Sequence, residues 1–326
     1  MNKKTDYLIQ FLKIIISLSL IAYLLAKNDW RNIINKINSI DVTYFVYASV
    51  LIVIVCPFLL SLRWKILLES EKNITLSDTI KLTYAGLFFN LVFPGSVGGD
   101  TIKIALFYKM TKNSALAASS VVLDRIIGLI ALTILSAISS CIYYKITSDF
   151  SFSLESGGFL VLLIIFLGLI SLSFVQEKFL SLFRWLKFKK LEDFTKKSFE
   201  FICWFKSHPK ILLSTILLSL IAQIVGVFAT YFTGISLGVK ASLGYYFLFY
   251  PIIGLITSIP VSISGIGVRE SCFAYFFAKA GVPEFESISL SLISFFISVL
   301  AGILGGIIYS VSSYEGKVLK EVNRET

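Results

Sequence analysis

The sequence predicts an all-α polytopic membrane protein, with about six spanning helices and two re-entrant or broken helical hairpins in an inverted repeat. Three observations predict it. Of 326 residues, 56% are hydrophobic and only 15% are charged, with a mean hydropathy of +0.83. An average soluble domain carries about 25% charged residues, so this chain has too little charge to clothe a soluble surface of its size. Six apolar runs approach or exceed the ~20 residues that a spanning helix needs. Two more apolar runs are each cut by a Pro/Gly/Ser break and resume with charge. The whole chain, 1–326, reads as one integral membrane domain.

Tyr7–Ala26 follows Lys3 and Lys4, and Lys13 in its first turns can snorkel to the interface. Its uninterrupted part resembles a signal segment, but no clear small-residue cleavage site follows, so it reads as a retained helix. Val42–Leu62 is the second span, with a kink expected at Pro57 and an interfacial anchor in Arg63-Trp64-Lys65. Leu76–Phe93 runs into Pro94-Gly95-Ser96-Val97-Gly98-Gly99-Asp100, and a short helix, Thr101–Met110, follows. Ala115–Tyr144 and Gly157–Val175 are the third and fourth spans. Ile211–Val239 is the fifth, with Gln223 in its middle. Leu243–Ile259 meets the second break, Pro260 to Gly267, and Val268–Ala280 follows. Ile288–Val311 closes the set, and its Gly302, Gly305 and Gly306 allow close helix contact. Irregular backbone at membrane depth must be buried in protein or line a wet cavity, hence the two hairpins.

Charge sets the orientation. There are 30 Lys+Arg against 20 Asp+Glu, a net +10. The segment Gln176–Lys210 holds nine Lys/Arg and four acidic residues, so it reads as a basic cytoplasmic, interfacial linker. The N-terminus and the tail Lys317–Arg324 are basic and expected inside, while Lys145–Ser156 is expected outside. The loop Lys27–Asp41, with three basic residues, must also face out, against its charge. The scheme closes when the first hairpin enters and leaves from the cytoplasm and the second from outside. Pro94 and Pro260 are 166 residues apart. Span, hairpin and span therefore occur twice, in halves 42–145 and 209–312 of opposite orientation, and broken segments in such repeats point to a site near the midplane. The basic residues are scattered between apolar spans, which argues against nucleic acid.

Catalytic and metal chemistry find little purchase. The cysteines, Cys56, Cys141, Cys203 and Cys272, form no C-x-x-C pair and read as small apolar helix residues. The single histidine, His208, excludes a multi-histidine zinc site. No cofactor is expected, and no phosphate-binding G-x-x-x-x-G-K-[ST] loop occurs.

The informative residues are polar ones where burial is expensive: Asn90, Gly98, Gly99, Asp100 and Lys103 around the first break; Asp124 and Arg125 inside the third span; Ser262, Gly265, Gly267, Arg269 and Glu270 around the second break. Charges at membrane depth cost about 2.5–3.5 kcal/mol each and usually pair or line a pathway. Structural readings stay open. Asp124-Arg125 can be a neutralised pair stapling helices, Asp100 can cap the helix starting at Thr101, and Arg269-Glu270 can be interfacial. Taken together, both breaks end at helix N-termini that suit an anion, and Arg125 and Arg269 add forks that match phosphate.

Three ordered motifs carry a resemblance over nearly the whole chain. Asn90-Leu91-Val92-Phe93-Pro94-Gly95-Ser96-Val97-Gly98-Gly99-Asp100-x-x-Lys103, Asp124-Arg125-x-x-Gly128-Leu129 and Pro260-x-Ser262-x-x-Gly265-x-Gly267-Val268-Arg269-Glu270 are similar to the flippase-like membrane domain family. That is the transmembrane region of lysylphosphatidylglycerol synthase/flippase, the multiple peptide resistance factor. The resemblance implies a domain of a prokaryotic cytoplasmic membrane that moves lipids between leaflets, aminoacylated phosphatidylglycerol in the best-known branch. Lys103 stands where the motif leads one to expect Arg, which keeps the charge and loses the bidentate fork. The soluble aminoacyl-transferase domain of the full-length synthases is expected to be absent, so any link to lysyltransferase activity is one of name.

The expected function is a flippase-like transporter of an anionic or aminoacylated phospholipid, or of a polyprenyl-phosphate-type carrier lipid. The polar residues at the two breaks and within the third span would line its path. The alternatives are a small-solute or ion permease, a non-catalytic scaffold for a cell-envelope synthase, and an enzyme using Asp100, Asp124 or Glu270 on a lipid head group. A homodimer or an envelope-synthase partner is compatible with each.

Overall fold

The computed structural model describes residues 30–69, 74–92, 98–147, 158, 208–259, 262 and 265–312. The expected span at 7–26, that at 157–175 apart from Gly158, the linker from 176 to 207, most of the 145–156 loop, Cys203, both hairpin prolines and both chain ends lie outside them. Among the described residues all regular structure is helical. The elements are α1 (Trp30–Asn38), α2 (Val42–Leu67), α3 (Leu76–Val92), α4 (Gly98–Thr111), α5 (Ser114–Thr147), α6 (Pro209–Ser236), α7 (Leu243–Ser258), α8 (Val268–Ala278) and α9 (Glu284–Val311). Of these α2, α5, α6 and α9 are long and apolar enough to cross a membrane. Val42, Val46, Val50, Ile54 and Phe58 form an exposed apolar stripe along α2 at four-residue spacing, and Leu213, Leu217 and Ile221 do the same on α6. A soluble protein does not leave two such stripes to water; here they face lipid.

Two boundaries depart from expectation with consequences. The second span runs on to Leu67, five residues beyond its expected end. Arg63-Trp64-Lys65 is therefore no interfacial anchor, and Arg63 and Trp64 are buried. The region 27–41 is not a plain loop, because α1 occupies most of it, and Lys36 of α1 pairs with Glu286 at the start of α9 at 2.7 Å.

The kink expected at Pro57 has a definite form. Leu51–Val55 is one π turn, in which the Cys56 N–H reaches back to the Leu51 carbonyl. Pro57 has no N–H to give the carbonyl four residues back, that of Val53. The Tyr84 hydroxyl of α3 donates to that carbonyl at 2.6 Å. A backbone acceptor freed inside the apolar layer is thus satisfied by a neighbouring helix, as a membrane interior requires.

The hairpins are rooted at opposite ends of the spans. The outer parts of α3 and α4, with Leu82, Leu106 and Phe107, pack with Trp64 and Leu67 at the end of α2 and with Ile211 at the start of α6. The outer parts of α7 and α8, with Tyr246, Phe249 and Phe277, pack instead near Ala48 of α2 and Tyr143 of α5. The first arm of each hairpin lies against a span from the other segment: α3 on α9, and α7 on α5. Small residues make the first of these contacts. A Cβ on Gly305 would strike the backbone oxygen of Tyr84, and one on Gly302 would strike the Leu91 side chain. The close approach that these glycines suggest in the sequence is made, and its partner is α3.

Two outcomes test this packing. Tyr84→Phe should cost about 1–3 kcal/mol by leaving the Val53 carbonyl bare, read as a lowered midpoint of thermal unfolding in detergent. Gly305→Leu should lower that midpoint further, because backbone rather than a mobile side chain stands in the way. An unchanged midpoint in either variant would contradict the contact it removes.

Candidate functional site

The site is built on the tips of the two hairpins. At the first, α3 and α4 touch through Gly86 and Gly99. A Cβ on Gly99 would collide with the Gly86 carbonyl and the Asn90 side chain. Asn90 Oδ1 accepts the Gly99 N–H at 2.8 Å, so one orphan donor of the α4 N-terminus is met from α3. Helix α4 begins at Gly98, three residues before the expected Thr101. Asp100 is therefore inside the first turn and does not cap a helix starting at Thr101. Its Oδ2 accepts from Arg125 Nε of α5 at 2.7 Å.

Asp124 and Arg125 do not neutralise each other. Successive helical residues point about 100° apart, and each takes a different partner. Asp124 is buried and turned to Arg63 of α2, whose Nε donates to Asp124 Oδ1 at 2.8 Å. The same guanidinium gives Nη1 to Ser219 Oγ of α6 at 2.7 Å. Lys103 of α4 approaches from the other side, with Nζ 3.6 Å from Asp124 Oδ2 and 3.8 Å from the Trp64 ring centroid. Three helices thus meet on one carboxylate, and α6 joins them through Arg63. Asp124 lies ten residues, about 15 Å, along α5 and is buried, so a lost partner leaves a charge without compensation. Arg63 and Ser219 were not among the residues expected here. The signal for Arg63 was the apolar run Ile66-Leu67-Leu68, which resumes beyond it. Ser219 carries no sequence signal beyond being one small polar residue in a long apolar helix.

At the second tip, Gly265 and Gly267 have φ of 76° and 84°, the left-handed region that a Cβ disfavours. This backbone presents the Gly267 N–H to Glu270 Oε2 at 2.6 Å, so α8 is capped by its own side chain. Glu270 Oε1 accepts from Arg269 Nη2 at 3.1 Å and from Ser291 Oγ of α9 at 3.0 Å. The Arg269 guanidinium also covers the Phe295 ring, 4.4 Å from its centroid. Glu270 is buried, so this pair is no solvated interfacial one. Ser262, in the break itself, is buried as well.

The candidate residues therefore fall into two groups, Asn90 to Arg125 at one tip and Ser262 to Glu270 at the other. Helix α7 relates their depths. It runs antiparallel to α5, with Tyr245 against Tyr143 and Gly254 against Leu132. Its last turn accordingly ends near the level of Gly128, one turn from Asp124 and Arg125. Both breaks thus come to a similar depth along α5.

The Asp124 network makes a sharp prediction. Asp124→Asn should destabilise by about 3–5 kcal/mol, because it leaves Arg63 and Lys103 buried without their counter-charge. A double-mutant cycle should give Arg63 and Asp124 a coupling energy above about 0.5 kcal/mol. Additive losses, read from unfolding in detergent, would contradict the shared network.

The chain is 25% identical over 327 aligned residues to a UPF0104 membrane protein of Pyrococcus horikoshii, covering 92% of this chain and 96% of that one. Residues 10–306 match the family described as lysylphosphatidylglycerol synthase TM region, a span that includes both hairpins and the Asp124 network. This multi-pass membrane chain therefore belongs to the lysylphosphatidylglycerol synthase transmembrane-region family.

Proposed function

We propose that the protein moves an anionic or aminoacylated phospholipid, or a lipid-linked carrier of polyprenyl-phosphate type, between the leaflets of a prokaryotic cytoplasmic membrane. One observation carries the reading. Arg125 sits within a membrane-spanning helix, yet its side chain is 51% exposed and ion-paired to Asp100 at the tip of a broken hairpin. A guanidinium at such depth is tolerated where protein or a wet cavity replaces lipid around it. Arg125 and Arg269 then offer planar forks to a phosphate. Association of the family with lipid handling supports the same reading.

The exchange of arms between segments, α3 on α9 and α7 on α5, supports treating 42–145 and 209–312 as halves of an inverted repeat. Rocking of one half against the other would expose the tips to each side alternately. Both termini and the basic linker face the cytoplasm in this scheme. The chain acts as a transporter and not as an enzyme, and its partner is the lipid itself. Transport is downhill or coupled to ions through the carboxylates.

A leaflet-resolved assay in proteoliposomes tests the proposal. Wild-type protein should equilibrate a labelled phospholipid between leaflets, and Arg125→Ala and Arg269→Ala should slow it at least about tenfold, the equivalent of one charge-assisted hydrogen bond. Transport in both variants at the wild-type rate would remove the roles assigned to these arginines.

A further inference from the structure

We infer that the first hairpin tip selects a phosphate head group of net negative charge, and that this anion takes Arg125 from Asp100 while Asp100 moves onto Lys103. The inference rests on the lipid passage proposed above and specifies the charge of its cargo. Among the described residues the tip gathers three cations, Arg63, Lys103 and Arg125, around two carboxylates, Asp100 and Asp124. One positive charge is in excess, and two of the cations are buried, where an uncompensated charge is costly. Among the described residues the second tip, with Arg269 beside Glu270, is balanced and supplies no counter-charge.

The excess is localised. Arg63 is held to Asp124 and Ser219 by short hydrogen bonds. Among the described residues Lys103 is held more loosely, by the 3.6 Å approach to Asp124 and the face of Trp64. Asp100 and Lys103 are three residues apart on α4, so they share a face of the helix, and Asp100 already attracts Lys103 electrostatically. The Arg125 side chain is half exposed while that of Asp100 is 22% exposed, so an incoming anion meets the guanidinium first. A phosphodiester replacing Asp100 there would leave that carboxylate beside an under-compensated ammonium. The exchange keeps every charge paired and unfastens the tip of α4 from α5. An aminoacylated head group brings its own ammonium against the same positive excess and is disfavoured.

Nanodiscs of phosphatidylcholine with added phosphatidylglycerol test this through the unfolding midpoint, since a ligand that binds the folded state raises it. Phosphatidylglycerol should raise the midpoint, with phosphatidylethanolamine and lysylated phosphatidylglycerol each having a much smaller effect at equal mole fraction. Asp100→Asn, which removes the carboxylate that competes with the anion for Arg125, should reach half the shift at about tenfold less phosphatidylglycerol. Arg125→Ala should abolish the shift, and Arg125→Lys, which keeps the charge without the fork, should retain a weakened one. An equal shift from the lysylated lipid, a shift that survives in Arg125→Ala, or weaker binding in Asp100→Asn would overturn the inference. Inorganic phosphate producing the same shift would assign the site to a soluble anion and overturn the lipid cargo. Lipid-specific shifts without any leaflet transport would sink the transport reading and leave the head-group selection standing.

Discussion

One carboxylate organises the membrane interior of this protein. Asp124 receives Arg63 from α2 and Lys103 from α4, and through Arg63 it reaches Ser219 of α6. Asp124, Arg63 and Lys103 are all buried, and each charge alone would be costly there, because desolvating a charge costs several kcal/mol. Together they are tolerable only in one arrangement of four helices. The network is thus better understood as fixing the position of the first hairpin than as a source of net stability.

That constraint explains the division of labour between neighbouring residues. Asp124 faces inward to the buried cations, whereas Arg125 turns to Asp100 and toward exposure. A buried, fully partnered carboxylate and a half-exposed guanidinium occupy adjacent positions because a helix separates them by about 100°. Rigidity and availability are therefore placed side by side. The same economy appears at the second tip, where the Glu270 carboxylate caps α8, binds Arg269 and accepts from Ser291.

The helix N-termini at the breaks are less open than their glycines suggest. Asn90 takes the Gly99 N–H and Glu270 takes the Gly267 N–H, so each break is closed by a side chain from within its own hairpin. The attraction for an anion then falls more on the guanidinium groups than on bare backbone donors. Glycine serves approach as much as conformation here: Gly99 lets α4 lie against Gly86, and Gly305 lets α9 lie against Tyr84.

Much of the architecture was legible from apolar length alone, because a bilayer demands long uninterrupted helices and punishes every break. That rule located the four described spans and both hairpins to within a few residues. The polar residues at the breaks were legible for the same reason, since charge is rare where it is expensive. Pairing was not legible. Arg63 read as an anchor, Asp124-Arg125 as one possible pair and Asp100 as a cap, because sequence distance says nothing about which helix lies across the gap. Ser219 and the Tyr84 hydroxyl at the Val53 carbonyl were invisible for that reason too. Composition and periodicity by themselves determined a membrane protein with two broken hairpins. Only the tertiary structure decided which cation meets which carboxylate, because that choice belongs to contacts between helices far apart in the chain.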